Sequence, residues 1–409
     1  HIGLKSRYVT PKADRRLHHT RRFTLSKSLG MEDTVIYVDE SPLGSPMNGK
    51  CRYLQIGTEI ISYAGYTDRR PYCFTGCVRG AFATDILPHD EGSSAGTLDI
   101  SEFGGTSCYI DQDTDLQDEI AQKIADVYNC GFRFCYMDGS EGTNAPHARH
   151  VPGAQMRVYS LLREKPLFTE GAAKAHFSWH FQAGGNAFDV FPPEVFKRMI
   201  ARFPLEEAPR MKQDFTRLDF GWWAFRLPEG ESEGTQADQY EYGTSKAAAW
   251  DCPATMQANI ERFRLHPRTD DILEVMRRWE EARCTGLLTD EVKERLRDPE
   301  SEFTLLRDGS GSLVLCKYER LETCAHITAY AFAYEEKTCA VYWHNRSEGR
   351  LKLPLAEGSF LLRDELCGNE VTVENQEGYT VIPAGGKRYI VSDISPEKLR
   401  ETFERAVLL

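Results

Sequence analysis

The chain of 409 residues lacks any uninterrupted apolar run near the roughly 18–20 residues that a membrane-spanning helix needs. It also lacks a long basic stripe, because 50 Lys and Arg stand against 62 Asp and Glu, a formal net charge of −12 that repels phosphate backbones. We therefore predict neither a membrane nor a nucleic-acid partner. The hydrophobic fraction of 41% is ordinary for a folded core and argues against wholesale disorder.

Several motifs of catalysis and cofactor binding are also missing. No GxGxxG or P-loop opens a helix, and Ser178 and Ser245 lack the GxSxG turn of serine hydrolases. There is no HExxH, and none of the twelve cysteines forms a CxxC pair. Such scattered thiols favour a reducing, cytoplasmic compartment, with a few disulfides left open as an alternative. We predict no cofactor and no bound metal.

Changes in residue pattern predict four consecutive parts. Residues 1–20 are basic and irregular, which indicates a connector or an early barrel segment. Residues 21–100 carry short alternating runs between turn residues, as in a small all-β insert. Residues 101–298 alternate strands with helices and predict βα units of a barrel with the catalytic cleft, and residues 299–409 predict an antiparallel β-sandwich with a terminal helix. Because residue 1 is His, we expect either a removed leader or a piece of a longer protein.

The βα region supplies the elements on which candidate acids stand. The apolar residues Leu116, Ile120, Ile124 and Val127 recur at helical spacing and predict a helix. A second, long helix is predicted to begin at Thr269. Further helices are predicted at 151–163, 193–202 and 246–260. Strands are predicted at 105–111, 131–138, 166–170 and 215–225, with a fifth and weaker one near Tyr240.

Acidic residues end several of the predicted strands. In a (β/α)₈ barrel, catalytic groups stand at the carboxyl ends of strands, about 31 residues apart for successive βα units. Converging carboxylates suit acid–base catalysis or an oxocarbenium-like transition state. The acids at or near such ends are Asp111, Asp138, Glu170, Asp219 and Glu241.

Asp138 is the strongest catalytic candidate. An apolar strand delivers it into a loop with Gly139 and Glu141, where glycine permits close approach of a ligand. Glu170, just before Gly171, is its expected partner. A helix-capping or loop-anchoring role for Asp138 and a surface-loop role for Glu170 are the alternatives. We predict Asp138, Glu170 and Asp219 as the catalytic residues.

Aromatic and histidine side chains accompany these acids. Aromatic faces stack on the C–H face of a pyranose, although core packing is the commoner fate of a single Trp. His176 and His180 lie four residues apart and could share a metal on a helix, but we prefer them as sugar contacts. The predicted substrate-binding residues are Glu141, His176, Trp179, His180, Trp222, Trp223, Glu241, Trp250 and Asp251.

Six stretches of the sequence resemble large bacterial glycoside-hydrolase-like proteins. They read CGFRFCYMDGSEG (130–142), LDFGWWAF (218–225), EYGTSKAAAWDCP (241–253), PRTDDILEVMRRWEEAR (267–283), IGTEIISYAGYT (56–67) and FTGCVRGAFAT (74–84). This resemblance implies an α/β fold: a (β/α)₈ TIM-type barrel, incomplete at its N-terminus, with a small all-β insert and a C-terminal antiparallel β-sandwich. More distantly, an Asp that ends a central barrel strand resembles the nucleophile of retaining α-galactosidases and α-fucosidases. That likeness implies Asp138 as nucleophile and Glu170 or Asp219 as acid/base.

The sequence thus predicts a glycoside hydrolase that cleaves a glycosidic bond, α-linked on the distant resemblance, in an oligo- or polysaccharide. Five plausible barrel strands, and one more near residues 2–9, fall short of eight. We therefore expect a missing N-terminal part of the same protein, or a homo-oligomer, as a partner besides the carbohydrate. Two alternatives stay open: a non-catalytic carbohydrate-binding protein, and a metal-dependent hydrolase that uses His176 and His180.

Overall fold

The computed structural model is mixed α/β, with 25 strands and eight α-helices among its described residues. The chain divides into two compact units, His1–Gly185 and Asn186–Leu409, each described by itself below. No helix in the described part of the chain is long and apolar enough to cross a membrane. The structure describes residues 2–3, 13–101, 107–138, 142–171, 178–182, 184–186, 192–202, 206, 217–356, 358–376 and 378–409.

Small antiparallel sheets occupy the first half of the first unit. One has the strand order β2-β8-β4-β5, another has the order β3-β7-β6, and β1 pairs with β9. Their shared core includes Phe23 and Phe74, whose rings meet edge to face at 5.1 Å. The strands are β1 (Ile2–Gly3), β2 (His19–Thr24), β3 (Ile36–Tyr37), β4 (Tyr53–Ile56), β5 (Glu59–Ser62), β6 (Gly65–Thr67), β7 (Cys73–Thr75), β8 (Ser94–Leu98) and β9 (Ser107–Cys108).

Parallel strands joined by helices follow in the chain. The strands β10, β11 and β12 pair side by side in parallel, with Tyr136 opposite Glu170 and Met137 opposite Gly171. A helix connects β9 to β10 and a second connects β10 to β11, which is the βα alternation that the sequence predicts. These elements are α1 (Leu116–Tyr128), β10 (Phe134–Met137), α2 (His147–Leu161), β11 (Phe168–Gly171) and β12 (Gly184–Asn186).

Helix α1 shows how packing refines the predicted apolar stripe. Leu116 and Ile120 are buried as expected, but Ile124 and Val127 lie exposed. The buried face passes instead through alanines such as Ala121, because small side chains let α1 approach α2 closely. The predicted helix is therefore present, with its buried face rotated from the one that spacing alone indicates.

The second unit begins with helices around a short parallel pair of strands, β14 and β15. The prediction of a strand near Tyr240 is wrong, because residues 237–249 form a helix that is buried on almost every side. The long helix predicted from Thr269 is present. The elements are α3 (Phe196–Ala201), β13 (Arg217–Asp219), β14 (Trp222–Ala224), α4 (Ala237–Ala249), β15 (Thr255–Gln257), α5 (Ile260–Leu265), α6 (Thr269–Cys284) and α7 (Asp290–Arg297).

Two antiparallel sheets and a helix form the rest of the second unit. A six-stranded sheet has the order β16-β17-β18-β19-β24-β21, and a four-stranded sheet has the order β22-β23-β20-β25. A core of residues such as Leu351, Ile382 and Ile390 joins the sheets to the terminal helix. The elements are β16 (Glu302–Arg307), β17 (Leu313–Arg320), β18 (Ile327–Tyr334), β19 (Lys337–His344), β20 (Gly349–Leu353), β21 (Phe360–Arg363), β22 (Glu374–Gln376), β23 (Tyr379–Ala384), β24 (Arg388–Ser392), α8 (Pro396–Glu404) and β25 (Val407–Leu408).

The parallel strands do not close into a barrel within the residues that the structure describes. Within the predicted strand 105–111, the described residues form β9, which pairs antiparallel with β1. The (β/α)₈ barrel thus stays a prediction for the whole chain.

Candidate functional site at the ends of two parallel strands

Asp138 and Glu170 stand at the carboxyl ends of neighbouring parallel strands. Asp138 directly follows β10, and Glu170 is the third residue of β11. Glu170 is the register partner of Tyr136, so strand alternation places Asp138 on the same sheet face, one diagonal step away. With strands ~4.8 Å apart and a rise of ~3.3 Å per residue, the backbones of Asp138 and Glu170 lie about 8 Å from each other.

The two carboxyl groups differ in their surroundings. Asp138 is exposed, whereas Glu170 is only 4% exposed inside the strand. The pair therefore combines a carboxyl group that a solute can reach with one that the protein encloses.

Side chains of α2 and of residues 178–182 form a layer of buried amides and hydroxyls. The Ser178 hydroxyl donates to Oε1 of Gln155 over 3.3 Å, and both side chains are buried. Gln182 is 2% exposed, and neither its Oε1 nor its Nε2 has a hydrogen-bond partner within the described part of the chain. Its amide lies where a Cβ on Gly171 would stand, so a larger residue there would require the Gln182 side chain to move.

Sequence reasoning missed this polar layer. Gln155 lies on α2 in the same buried stripe as Val151 and Val158. A polar residue at helical spacing within an apolar stripe is the signal that could have found it.

A cavity of about 260 Å³ lies between β10 and the two helices α1 and α2. Asp138, Gln117, Gln155 and Cys135 contribute to its wall. Burial raises the pKa of the Cys135 thiol, so this cysteine stays protonated and is a poor nucleophile. The geometry therefore does not favour thiol chemistry at Cys135.

Several predicted site residues fall wholly or partly outside the described structure. Glu141 and His176 lie outside the described residues. Trp179 lies in the short 3₁₀ turn Ser178–His180, where His180 is exposed, and Asp219 is the last residue of β13. Their roles stay predictions.

The paired tryptophans of β14 have different environments. Trp223 is fully buried, with its ring edge to face against Phe196 at 5.2 Å and Tyr240 at 5.5 Å. Its predicted sugar contact is at odds with this burial, because no ring face is left for a ligand. Trp222 is partly exposed and stays a predicted sugar contact.

Glu241 lies on helix α4 rather than at a strand end, and it is buried. Its Oε1 accepts hydrogen bonds from Nε1 of Trp279 at 2.7 Å and from the backbone N–H of Leu305 at 3.2 Å. Nζ of Lys387 lies 3.6 Å from its other oxygen. These contacts assign Glu241 to internal charge balance, which contradicts the predicted contact with substrate.

Trp250 and Asp251 follow the end of α4. Trp250 is partly buried and stacks under the guanidinium of Arg297, 4.5 Å from the ring centre. Asp251 adopts left-handed backbone with φ 56° and forms an ion pair with Nζ of Lys293 at 2.7 Å. Both side chains take part in contacts between the end of α4 and α7, so their predicted sugar contacts compete with structural roles.

The metal-dependent alternative gains no support from the described residues. They contain no group of three or more His, Cys, Asp or Glu side chains that could hold a metal ion. His176, one of its two proposed ligands, lies outside the described residues.

Comparison with known proteins finds no matching family model and no match among curated proteins. The solved structures that match include α-amylase-type glycoside hydrolases. An α-amylase from Anoxybacillus is 14% identical with a TM-score of 0.29, over 69% of this chain and 65% of its own. The Nostoc punctiforme debranching enzyme is 10% identical with a TM-score of 0.31, over 76% of this chain and 67% of its own.

An α-amylase from H. orenii is 9% identical with a TM-score of 0.27, over 80% of this chain and 70% of its own. This chain thus spans about two thirds of the length of such structures. Overlaps of this size define neither an activity nor a substrate for the chain, so the function is argued from the strand-end residues.

Proposed function

We propose that the protein is a glycoside hydrolase that cleaves a glycosidic bond in an oligo- or polysaccharide with two carboxyl groups. The observation that carries this proposal is the placement of Asp138 and Glu170 on one face of two neighbouring parallel strands, at their carboxyl ends. In this proposal β10–β12 belong to an incomplete (β/α)₈ barrel, where such ends form the catalytic face.

The surroundings of the two carboxyl groups divide the roles between them. Glu170 is buried and is suited to protonate the oxygen of the departing sugar. Asp138 is exposed and is suited to approach the anomeric carbon as nucleophile, or to activate a water as base. Asp219 stays the alternative acid/base, as the resemblance to α-galactosidases and α-fucosidases implies.

The separation of the two carboxyl groups decides the stereochemistry. Retaining enzymes hold them about 5–5.5 Å apart, whereas inverting enzymes leave about 6.5–9.5 Å for a water. Side chains that lean toward each other from backbones about 8 Å apart reach the shorter range. We therefore expect retention, which agrees with the distant resemblance and is measured by the anomer first released.

The test is turnover of a panel of α- and β-linked aryl glycosides by the wild-type protein and by Asp138→Asn and Glu170→Gln. Each variant is expected to lose about 10²–10⁴-fold in kcat, because each removes one of two groups that act on the same bond. Matched controls are Asp126→Asn and Glu164→Gln, which change exposed acids of the same unit away from the strand ends. The controls are expected to keep the wild-type rate.

The possible outcomes separate the competing functions. Wild-type turnover in both strand-end variants would refute the assignment of these residues, even if the protein is a glycosidase. Sugar binding without turnover, lost in the same variants, would instead establish the non-catalytic carbohydrate-binding alternative. Loss of activity with EDTA and recovery with added metal would favour the metal-dependent one.

A further inference from the structure

A second cavity, of about 360 Å³, lies within the second unit between helix α6 and the turn before β24. Three basic side chains in its wall are almost fully buried: Arg268 and Arg278 are each 5% exposed, and Lys387 is 7% exposed. The acids of the same wall are less buried, with Asp270 and Glu365 exposed at its edge. The wall thus combines almost fully buried basic groups with five carboxylates, of which Asp271, Glu274 and Asp364 are partly buried.

The protein leaves these buried cations incompletely paired. Nε of Arg268 and Nε of Arg278 are buried without a hydrogen-bond partner among the described residues. Arg278 reaches Glu274 only at 3.7 Å. Nζ of Lys387 forms an ion pair with Glu241 at 3.6 Å, and Nη1 of Arg268 donates to Oδ2 of Asp271 at 3.4 Å. Buried charges without full pairing are costly, and a bound counter-ion would offset that cost.

The arginines converge on one point of the cavity wall. A Cβ on Gly386 would lie 3.0 Å from Nη1 of Arg268 and 4.0 Å from Nη1 of Arg388, so both guanidinium groups approach the same small volume. Asp271 Oδ2 lies 3.6 Å from that point, but the carboxylate of Asp271 also accepts from the backbone N–H of Lys387. The Asp271 carboxylate thus faces the guanidinium groups of Arg268 and Arg388 beside Gly386.

We propose that this cavity binds a small oxyanion, a phosphate or sulfate group, either free or carried as an ester on a sugar. Guanidinium groups donate two parallel hydrogen bonds to such oxygens, and a buried ammonium adds a point charge. The site is separate from the strand ends of the first unit, so it does not depend on the proposed hydrolase activity. The proposed ligand is recognised by its negative charge and by the tetrahedral arrangement of its oxygens.

Binding is tested on the whole chain by calorimetry and thermal unfolding. Inorganic phosphate and sulfate are compared with chloride at equal ionic strength, and both oxyanions are expected to bind and to raise the Tm. Glucose 6-phosphate, with glucose as its control, then distinguishes the sources: tighter binding than inorganic phosphate indicates a sugar-borne group, and weaker binding a free ion. No heat and no Tm shift with either inorganic oxyanion would overturn the proposal.

Variants locate the site. Arg278→Gln is expected to weaken phosphate binding about tenfold or more, because it removes a charge-assisted donor. The pair Lys387→Met with Glu241→Gln removes the ammonium without leaving a buried carboxylate unpaired, which protects folding, and is expected to weaken binding similarly. Arg277→Gln is the matched control, since Arg277 is exposed on the same helix and does not line the cavity.

Equal loss in Arg277→Gln and Arg278→Gln would show general charge screening rather than a site, and would overturn the proposal. Unchanged binding in Arg278→Gln would do the same. If the arginine variant does not fold, Gly386→Ala serves in its place, because its methyl group would occupy the space beside Nη1 of Arg268.

Discussion

At the scale of single residues, Glu59 shows how the first unit tolerates a fully buried carboxylate. Arg79 donates to both of its oxygens at 2.7 Å, and Nε2 of His89 lies at 2.8 Å. Burial by itself would raise the pKa of Glu59, but the hydrogen bonds from Arg79 and His89 outweigh it and lower that pKa. The ionised carboxylate thus ties β5 to the loop that contains both basic residues.

Replacing Glu59 by Gln is expected to lower the free energy of unfolding by about 3–5 kcal/mol, because it leaves a buried arginine without its counter-charge. Urea unfolding of the whole chain, followed by circular dichroism, measures the change. Glu32→Gln, which alters an exposed acid of the same unit, is the control and should change stability by less than about 0.5 kcal/mol. Equal stability of both variants would contradict the assigned role.

Gly171 is a second residue whose identity is fixed by a close neighbour. Its missing side chain makes room for the buried amide of Gln182. We expect Gly171→Ala to destabilise the protein by about 1–3 kcal/mol through overpacking. Adding Gln182→Ala should recover part of that loss, and a double-mutant cycle from urea unfolding measures the coupling. Strictly additive effects would argue against the contact.

At the scale of secondary structure, the sequence predicts amphipathic elements well and fully buried ones poorly. Helix α6 is predicted from Thr269 because Ile272, Val275 and Trp279 repeat on one buried face. Helix α4 has no such period, since it is buried on nearly every side, and it contains Gly243. A Cβ at Gly243 would lie 2.7 Å from the Trp223 ring, so glycine here serves packing rather than a turn.

His266, just after α5, predicts a pH dependence for the second unit. Its Nδ1 accepts from the backbone N–H of Arg268 at 3.0 Å, and burial lowers its pKa from 6.5 to about 4. Between pH 4 and pH 6.5, His266 therefore binds a proton more readily in the unfolded chain than in the folded one. Stability is therefore full above about pH 6.5 and falls by up to about 3 kcal/mol as the pH drops toward 4.

His266→Asn keeps a side-chain acceptor for the N–H of Arg268 but cannot take up a proton at these pH values. We expect its stability to fall less steeply than that of the wild-type protein between pH 6.5 and pH 4, as measured by urea unfolding at each pH. His147→Asn, at an exposed histidine, should follow the wild-type curve. Parallel curves for wild type and His266→Asn would refute this account.

At the scale of the whole molecule, the sequence indicates the candidate acids but not their neighbours in space. Asp138 and Glu170 can be found because each ends or nearly ends an apolar strand, which is a local signal. The burial of Glu241 and Trp223 could not be foreseen, because it depends on contacts with residues such as Leu305 and Phe196 that lie far away in sequence. Long-range packing, rather than local pattern, separates the buried candidates from those that a ligand could reach.

Long-range packing also joins the helices of the second unit to its antiparallel sheets. One hydrophobic core contains Trp279 of α6 together with Phe303 and Trp343 of the sheets. Buried hydrogen bonds cross the same boundary, from Nε1 of Trp343 to Gln236 at 3.1 Å and from the Tyr330 hydroxyl to Asp238 at 3.0 Å. The sheets therefore depend on α4 and α6 for much of their cover.

This dependence predicts how pieces of the chain will behave. Residues 299–409 expressed alone would expose Phe303 and Trp343 and leave the Tyr330 hydroxyl without Asp238, so we expect a poorly packed product that binds a hydrophobic dye and lacks near-ultraviolet circular dichroism. Residues 186–409 retain the helices and should unfold in one cooperative transition, with fluorescence and circular dichroism coincident. Cooperative unfolding of 299–409 with native-like tryptophan signals would contradict this prediction, because the sheets would then be stable without the helices that cover them.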